Sequence, residues 1–202
     1  MAGSDLVTAV EQSSALIERE VATLKTLVDE FSHFARFPAS KPLFVDLNSI
    51  VGKAVQVFDG RLDGITLRCE LAPGLPGIYA DPDQMKRVLV NLIDNAAEAL
   101  EHSPAKEIWV RTFLDSDRDM VVLLVADSGP GIPQEAKERL FLPLFSTKRR
   151  GTGLGLAIVN RIVSEHNGTI RVEENLPLGT KFIIELPVEH APAATATPAQ
   201  EA

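Results

Sequence analysis

Two asparagines, Asn91 and Asn95, stand four residues apart in a segment with the periodicity of an α-helix. In a helix this spacing projects both side chains from one face. Their amide oxygens suit Mg²⁺, a hard cation that keeps several waters and takes few protein ligands. Because asparagine is a middling helix former, two on one face indicate a specific role, although capping or solvation of the helix is an alternative explanation.

A second motif, Asp127-Ser128-Gly129-Pro130-Gly131-Ile132, directly follows the apolar run at 120–126. A carboxylate at the end of a strand can accept a hydrogen bond from an adenine amino group. The two glycines would let the backbone turn sharply and approach a flat base. The same residue types favour an ordinary turn between a strand and a loop, which is the alternative interpretation of this motif.

A third motif, Gly151-Thr152-Gly153-Leu154-Gly155-Leu156, precedes a helical segment. Glycines ahead of a helix expose unpaired amides beside the positive end of the helix dipole, which suits a phosphate. Lys148, Arg149 and Arg150 add positive charge just before it. The sequence lacks the GxxxxGK[ST] pattern of a P-loop, and GxGxG after a basic segment differs from the dinucleotide-binding GxGxxG after a strand. A flexible loop followed by a helix is the alternative.

Helices and strands of an α+β domain are predicted around these motifs. Asp81-Pro82-Asp83-Gln84 supplies an N-cap, a first-turn proline and a capping-box residue, and its helix runs to about 102. Further helices are predicted from about 46 to 60, at 134–141 and from about 152 to 166, with Asn167-Gly168 as the last C-cap. Strands are predicted at 65–71, 107–114, 120–127, 169–174 and 180–187. The order does not alternate as βαβα, which disfavours a doubly wound fold.

The composition excludes several classes of protein. The chain has 202 residues, 45% of them hydrophobic, which is enough for a packed core, and a net charge of −8 that is unsuited to nucleic-acid binding. Its one cysteine, Cys69, is expected in the core or the sheet and forms no disulfide within the chain, which suits a reducing cytosol. With no bilayer-spanning apolar run and no signal peptide, we expect a cytoplasmic location without direct membrane contact.

The three motifs N-x-x-x-N, D-x-G-x-G and G-x-G-x-G occur in the order typical of the GHKL ATPase superfamily, and the chain resembles its histidine kinase branch most closely. The resemblance covers residues 43–188 and rests on NLIDNAAEAL (91–100), DSGPGIP (127–133), LFLPLFSTK (140–148), GTGLGLAIV (151–159) and GTKFIIELP (179–187). The segment from Phe141 to Lys148 resembles the nitrogen-sensor subgroup. The resemblance implies a Bergerat ATP-binding fold, which is a two-layer α/β sandwich with a mixed sheet covered by helices, and it implies ATP and Mg²⁺ as cofactors.

The resemblance also implies roles for individual residues. Asn95 would ligate Mg²⁺, with Asn91 assisting at the metal or the phosphates. Asp127 would hold the adenine amino group, and Thr180 would close the base pocket. Phe141, Phe145 and Lys148 would lie in a mobile lid, and Asn91, Asn95 and Lys148 would be catalytic. The expected nucleotide contacts are Asn91, Asn95, Asp127, Gly129, Gly131, Ile132, Phe145, Thr147, Lys148, Gly151, Thr152, Gly153, Leu154, Gly155, Leu156 and Thr180.

An amphipathic helix is predicted at 5–37, ahead of a linker at 38–42. Its VDEFSHFARFP (28–38) resembles the second helix of the dimerisation domain of these kinases, whereas the first helix, which carries the phosphoacceptor histidine, is absent. None of the histidines is expected to replace that acceptor: His33, His102, His166 and His190. Residues 1–4 are interpreted as a cloning remnant, 43–189 as the ATP-binding domain and 190–202 as a disordered tail.

The resemblance implies the catalytic domain of a two-component sensor histidine kinase. It would transfer the γ-phosphoryl group of ATP to a histidine on another domain, for onward transfer to an aspartate of a response regulator. The expected partners are that histidine domain, a receiver domain and, where the 5–37 helix self-associates rather than folding back on the ATP-binding domain, a second copy of the chain. Two alternatives are a stand-alone GHKL serine kinase of the anti-sigma-factor type, which the long helix disfavours, and a non-catalytic adaptor, which the intact motifs disfavour. The expected cytoplasmic location is also compatible with the chain being the cytoplasmic portion of a membrane-bound sensor.

Overall fold

A computed structural model describes residues 39–146 and 151–188, together with residues 13, 14, 16–19, 21, 22, 25 and 28. The described residues between 13 and 28 are helical, and their apolar side chains are at least half exposed: Leu16, Ile17, Val21 and Val28. The rest of the predicted 5–37 helix, the segment 147–150 and the predicted tail lie outside the described residues. No helix in the described ranges has the length and apolar character that a membrane span needs.

A mixed five-stranded sheet forms one layer of the domain, in the order β2-β4-β5-β7-β6. Strands β2 and β4 are parallel, and the other neighbours in this sheet are antiparallel. The strand bounds are Thr66–Leu71 (β2), Glu107–Asp115 (β4), Met120–Asp127 (β5), Thr169–Glu174 (β6) and Thr180–Pro187 (β7). All five strands were predicted from the sequence, with bounds that agree to within one residue.

Three helices form the second layer: Leu47–Val55 (α1), Pro82–Ala99 (α2) and Gly155–Glu165 (α4). A single turn of helix, Gln134–Lys137 (α3), lies between β5 and α4, and a 3₁₀ turn at Gln56–Phe58 follows α1. The predicted helices are therefore present but shorter, since α1 gives way to the 3₁₀ turn before Gly60 and α4 begins at Gly155 rather than Thr152. The observed α+β architecture with a helical layer confirms the predicted fold class.

The core lies between α1, α2, α4 and one face of the sheet. Strand residues alternate between the two faces, so Val121, Leu123 and Val125 of β5 point into this core. On α2, the apolar stripe is buried as its helical spacing predicts, including Val88 and Leu92. Burial of each such side chain stabilises the fold by roughly 1.5–3 kcal/mol.

A second, two-stranded sheet was not predicted. Its strands are Leu43–Val45 (β1) and Ile78–Ala80 (β3), which pair antiparallel. The rings of Phe44 and Tyr79 meet edge to face at 5.5 Å, and a side chain on Gly77 would overlap the Phe44 ring at 2.2 Å. This small sheet joins the start of the domain to the chain just before α2.

The N-terminus of α2 is capped by Asp81 as predicted, but one hydrogen bond of the expected capping box has a different acceptor. Asp81 accepts the N–H groups of Asp83 at 3.0 Å and Gln84 at 3.1 Å, and Pro82 opens the helix. In a capping box, Gln84 would accept the Asp81 N–H. Here that N–H donates to His166 Nε2 at 2.9 Å, so the C-cap residue of α4 caps the start of α2. Although burial opposes its charged form, backbone hydrogen bonds from Lys41, Gln84 and Asp83 lower the pKa of Asp81.

Cys69 lies in β2, so the prediction that it is a sheet residue is confirmed. The alternative that it lies in the core is wrong, because β2 is an edge strand and the thiol is exposed. Partial burial raises the pKa of the Cys69 thiol.

Candidate functional site

A cavity of about 610 Å³ opens between α2, the loop after β5 and the start of β7. Six of the residues predicted to contact a nucleotide line it: Asn95, Asp127, Gly131, Ile132, Leu156 and Thr180. Its other lining residues are mainly apolar or small and include Ala96, Ala99, Leu140 and Phe182. An apolar cleft with a few polar groups is typical of a small-molecule site.

Asp127 supplies a fixed, buried acceptor in this cavity. The residue is 4% exposed, and its Oδ1 accepts the N–H of Gly129 at 2.8 Å and the N–H of Thr180 at 3.2 Å. These two backbone donors orient the carboxylate, and a carboxylate can only accept hydrogen bonds from its ligand. The geometry therefore suits a ligand that presents a donor, such as an amino group.

The backbone packs so closely around Asp127 that three glycines are required. A Cβ on Gly129 would lie 2.8 Å from Asp127 Oδ1, and one on Gly179 would lie 1.9 Å from the Asp127 carbonyl oxygen. Gly131 has φ +79°, and a Cβ there would lie 3.3 Å from the Gly179 carbonyl oxygen. Gly129 does not line the cavity itself; its contribution is the tight turn that places its N–H on the carboxylate.

Asn91 and Asn95 project together, as their spacing predicts, and both meet the start of α4. A Cβ on Gly155 would lie 3.2 Å from Asn91 Oδ1 and 3.9 Å from Asn95 Nδ2. Asn91 Nδ2 donates to the Arg87 carbonyl at 2.9 Å, so the amide group is held with its oxygen toward Gly155.

This donor set fits Mg²⁺ bound to phosphates better than a metal held by protein alone. No group of three or more His, Cys, Asp or Glu side chains that could hold a metal occurs in the described part of the chain. A Mg²⁺ ion here would take amide oxygens from Asn91 and Asn95 and complete its shell with waters and phosphate oxygens.

Residues on the two sides of segment 147–150, within and next to the predicted lid, are hydrogen-bonded to each other. Leu144 donates its N–H to the Gly153 carbonyl at 3.0 Å, and Gly153 has φ +70° with no room for a Cβ next to Leu144 and Phe145. The Arg139 guanidinium lies over the Phe145 ring, 4.7 Å from its centroid. Thr147 and Lys148, which the sequence assigns to the lid, lie outside the described residues.

The other residues predicted to contact the nucleotide or to form the lid range from exposed to fully buried. Leu154 is fully buried in the core, so only its backbone can face a nucleotide. Gly151 is exposed and Thr152 is half-buried, at the end of the lid that leads into α4. Phe141 is partly buried and packs against the core. The structure thus brings Asn95, Asp127, Leu156 and Thr180 to one cavity. Asn91 does not line it and lies one turn away on α2, against Gly155.

Sequence reasoning missed several residues at the site. Ala96 and Ala99 line the cavity from α2, and the small residues directly after Asn95 and one turn beyond it were the available signal. His102 also lines the cavity. Gly179 and Asn175 contact the Asp127 backbone from the loop between β6 and β7. The motif GTKFIIELP includes Gly179, but no pattern in the sequence indicates Asn175.

Residues 80–190 match the family described as Histidine kinase-, DNA gyrase B-, and HSP90-like ATPase. Among curated relatives, the sensor histidine kinase ZraS of Klebsiella oxytoca is 38% identical over 179 residues, which cover 88% of this chain and 38% of ZraS. The nitrogen regulation protein NtrY of Azorhizobium caulinodans is 33% identical over 81% of this chain and 22% of its own length. The chain therefore spans well under half the length of these two relatives.

Three solved structures are also similar. The full-length ShkA structure in complex with AMPPNP superposes with a TM-score of 0.73 and 29% identity, over 90% of this chain and 40% of that one. The catalytic domain of the histidine kinase ThkA gives a TM-score of 0.65 and 33% identity, over 73% of this chain and 96% of that domain. ThkA in complex with the response regulator protein TrrA gives a TM-score of 0.69 and 29% identity, over 86% of this chain and 50% of that one.

Proposed function

Because the chain belongs to the histidine kinase-, DNA gyrase B- and HSP90-like ATPase family, and within it to the catalytic domains of sensor histidine kinases, we propose that it binds Mg-ATP in the cavity beside Asp127. We further propose that it transfers the γ-phosphoryl group to a histidine on a separate helix. The activity is that of a histidine protein kinase, a phosphotransferase of a two-component system, with onward transfer to an aspartate of a response regulator.

One observation carries this proposal: the buried Asp127 carboxylate and Asn95 line the same cavity, and Asn95 and Asn91 both lie against Gly155 at the start of α4. The Asp127 end of the cavity offers a fixed acceptor and a closely packed backbone, which suits the amino group and flat ring of adenine. The other end offers amide oxygens and the first turn of a helix, which suits phosphates and their metal. The two ends match the two ends of ATP.

In the proposed reaction the chain mainly positions its substrate. Asp127 accepts from the base, Thr180 closes the base pocket, and the amides at the start of α4 bind the phosphates. Mg²⁺ held by Asn91 and Asn95 would offset charge on the phosphoryl oxygens. The γ-phosphorus forms a bond to the histidine nitrogen while its bond to the ADP oxygen breaks, in line, and ADP leaves. The imidazole proton passes to a base on the histidine-bearing domain.

We also propose that Lys148 and Thr147 of the lid contact the nucleotide, on the basis of the sequence alone. Lys148 would place its charge near the phosphates. Phe145, with Arg139 stacked on its ring, would fix the lid at one end. Gly151, Thr152, Gly153 and Leu154 would contribute backbone to the phosphate loop.

The proposed partners follow from the same family membership. The response regulator TrrA is seen bound to ThkA, and that structure is similar to 86% of this chain. A receiver domain and a histidine-bearing helix are therefore the partners that we propose. Four apolar residues are exposed in the described part of the predicted 5–37 helix, which supports self-association of this helix into a homodimer: Leu16, Ile17, Val21 and Val28. We propose a cytoplasmic location, either free or as part of a membrane-bound sensor.

The experiment is incubation with Mg-ATP labelled at the γ-phosphate, with and without a separate helical hairpin that bears the acceptor histidine. We expect acid-labile, Mg²⁺-dependent label on the hairpin and none on this chain. Of the described histidines, His166 is buried with both ring nitrogens in contact with backbone groups, so it is not available as an acceptor. Label on this chain in the mixture without the hairpin would contradict the proposal that the acceptor lies on a separate helix. Absence of label in both mixtures would contradict the proposed activity.

A further inference from the structure

The regular pairing between β5 and β7 stops at the Asp127 end of the cavity. The antiparallel ladder ends with Ala126 opposite Lys181, so Asp127 and Thr180 would form the next pair. The Thr180 N–H lies beyond the last pair of this ladder. It donates instead to the Asp127 carboxylate, Oδ1, at 3.2 Å. The Asp127 carbonyl therefore needs another donor, because a buried acceptor without one is costly.

Asn175 supplies that donor from the loop between β6 and β7. Its Nδ2 donates to the Asp127 carbonyl at 2.8 Å, while its own N–H donates to the Gly179 carbonyl at 3.1 Å. Gly179 lies so close that a Cβ there would be 1.9 Å from the same Asp127 oxygen. The side chain of Asn175 thus takes the place of a ladder bond, and the loop is held against the turn that forms the cavity wall.

We propose that Asn175 is a positioning residue that sets the recognition of the ligand's amino group by occupying the Asp127 carbonyl, so that the Thr180 N–H remains on the carboxylate. Without the Asn175 amide, the Thr180 N–H is drawn back toward the Asp127 carbonyl. The carboxylate then loses the Thr180 N–H that helps to orient it in the cavity. The inference rests on the proposed binding of ATP beside Asp127 and adds a residue outside the cavity lining to that site.

The test compares two ligands, ATP and purine riboside triphosphate, which lacks the 6-amino group. Their dissociation constants are measured by calorimetry for the wild type, for Asn175→Ala and for the control Leu178→Ala in the same loop. For the wild type and the control we expect ATP to bind roughly tenfold more tightly than the analogue, as a hydrogen bond to a charged group allows. For Asn175→Ala we expect this ratio to fall toward one, mainly through weaker binding of ATP.

If Asn175 had a purely structural role, Asn175→Ala would weaken the binding of both ligands equally and leave the ratio of their affinities unchanged. That result would overturn the inference. Asn175→Asp keeps the shape of the side chain but removes the donor, so it must lower the ratio in the same way. Failure of both variants to fold would also contradict a positioning role. A wild type that binds both ligands equally would contradict the role of Asp127 itself, and a wild type that binds neither would contradict the proposed function.

Discussion

At the start of α4, the side chain of Asn91 leaves little space for a methyl group on Gly155. The distance of 3.2 Å from the would-be Cβ to the Asn91 amide oxygen is shorter than an ordinary van der Waals contact. That oxygen is also the group that the proposal assigns to Mg²⁺. The glycine therefore matters for the site rather than for the backbone, since its φ is not in the left-handed region.

We predict that Gly155→Ala weakens Mg-ATP binding about three- to tenfold, because the added methyl displaces the Asn91 oxygen by a few tenths of an ångström. The free energy of unfolding should stay level or rise, since alanine is a better helix former than glycine by roughly 0.5–1 kcal/mol. Calorimetric titration and urea unfolding measure the two quantities. The control is Gly52→Ala in α1, where no atom lies within 4 Å of the new methyl, and it should leave binding unchanged. Wild-type affinity in Gly155→Ala would show that Asn91 is not at the phosphates.

Sequence spacing was sufficient to predict that Asn91 and Asn95 project together, because a helix fixes the relation between residues four apart. It could not predict that Gly179 and Asn175 contact Asp127, because they lie in the loop before β7 whereas Asp127 ends β5. Their positions follow from the β5–β7 register and from a loop whose conformation has no signature in the residue types.

Among the elements, α2 carries the asparagines and is held at its N-terminus by residues from distant parts of the chain. Asp81 caps the helix and also accepts the Lys41 N–H at 2.8 Å, so the linker and the helix share one residue. His166, at the end of α4, accepts the Asp81 N–H through Nε2 and lies 2.7 Å from the Ile162 carbonyl through Nδ1. Ser40 Oγ lies 3.3 Å from the same Nε2. The start of α2, the end of α4 and the linker therefore meet at one buried imidazole.

We predict that His166→Leu destabilises the domain by about 1–3 kcal/mol, because it leaves the buried Asp81 N–H without its acceptor. Urea unfolding followed by circular dichroism measures the loss. The neighbouring Ser164 is exposed, and Ser164→Ala should change stability by no more than about 0.5 kcal/mol. If His166→Leu behaved like this control, the imidazole would not join these elements.

The sequence predicted the main helices and strands because each carries its own signal, such as the Asp81-Pro82 start of α2 or the apolar run of β5. It did not predict β1 and β3, each of three residues, which are too short for an alternating pattern and lie beside proline and glycine. It also identified His166 only as a residue near a C-cap, because its partners Asp81 and Ser40 are far away in sequence.

At the scale of the whole molecule, the sheet face opposite the helices is stabilised by charge pairs. The carboxylate of Glu185 is buried on β7 and accepts from Arg118 at 2.6 Å, from Thr169 at 3.2 Å and from Arg171. The hydrogen bond from Arg118, together with that from Arg171, lowers the pKa of Glu185 from 4.5 to about 2, although burial opposes the charged form. This network joins the turn between β4 and β5 to strands β6 and β7.

A lowered pKa in the folded state means that the charged Glu185 contributes stability above pH 4.5, and that this contribution is lost as the pH falls toward about 2. We predict that the free energy of unfolding decreases across this range and that Glu185→Gln has a shallower decrease, with lower stability at neutral pH. Urea unfolding at several pH values measures both. Glu138 is exposed, so Glu138→Gln should retain the wild-type slope. An unchanged slope in Glu185→Gln would show that the network does not carry the acid sensitivity.

Calorimetric titration of the wild type and Asp127→Asn with Mg-ATP tests most directly whether the Asp127 cavity binds Mg-ATP. The amide in the variant removes the charge and places a donor where the ligand's amino group needs an acceptor. We predict saturable, one-to-one, Mg²⁺-dependent binding by the wild type and by the exposed control Asp63→Asn, and affinity at least about tenfold weaker in Asp127→Asn. No saturable binding by the wild type, or equal affinity in Asp127→Asn, would contradict the account.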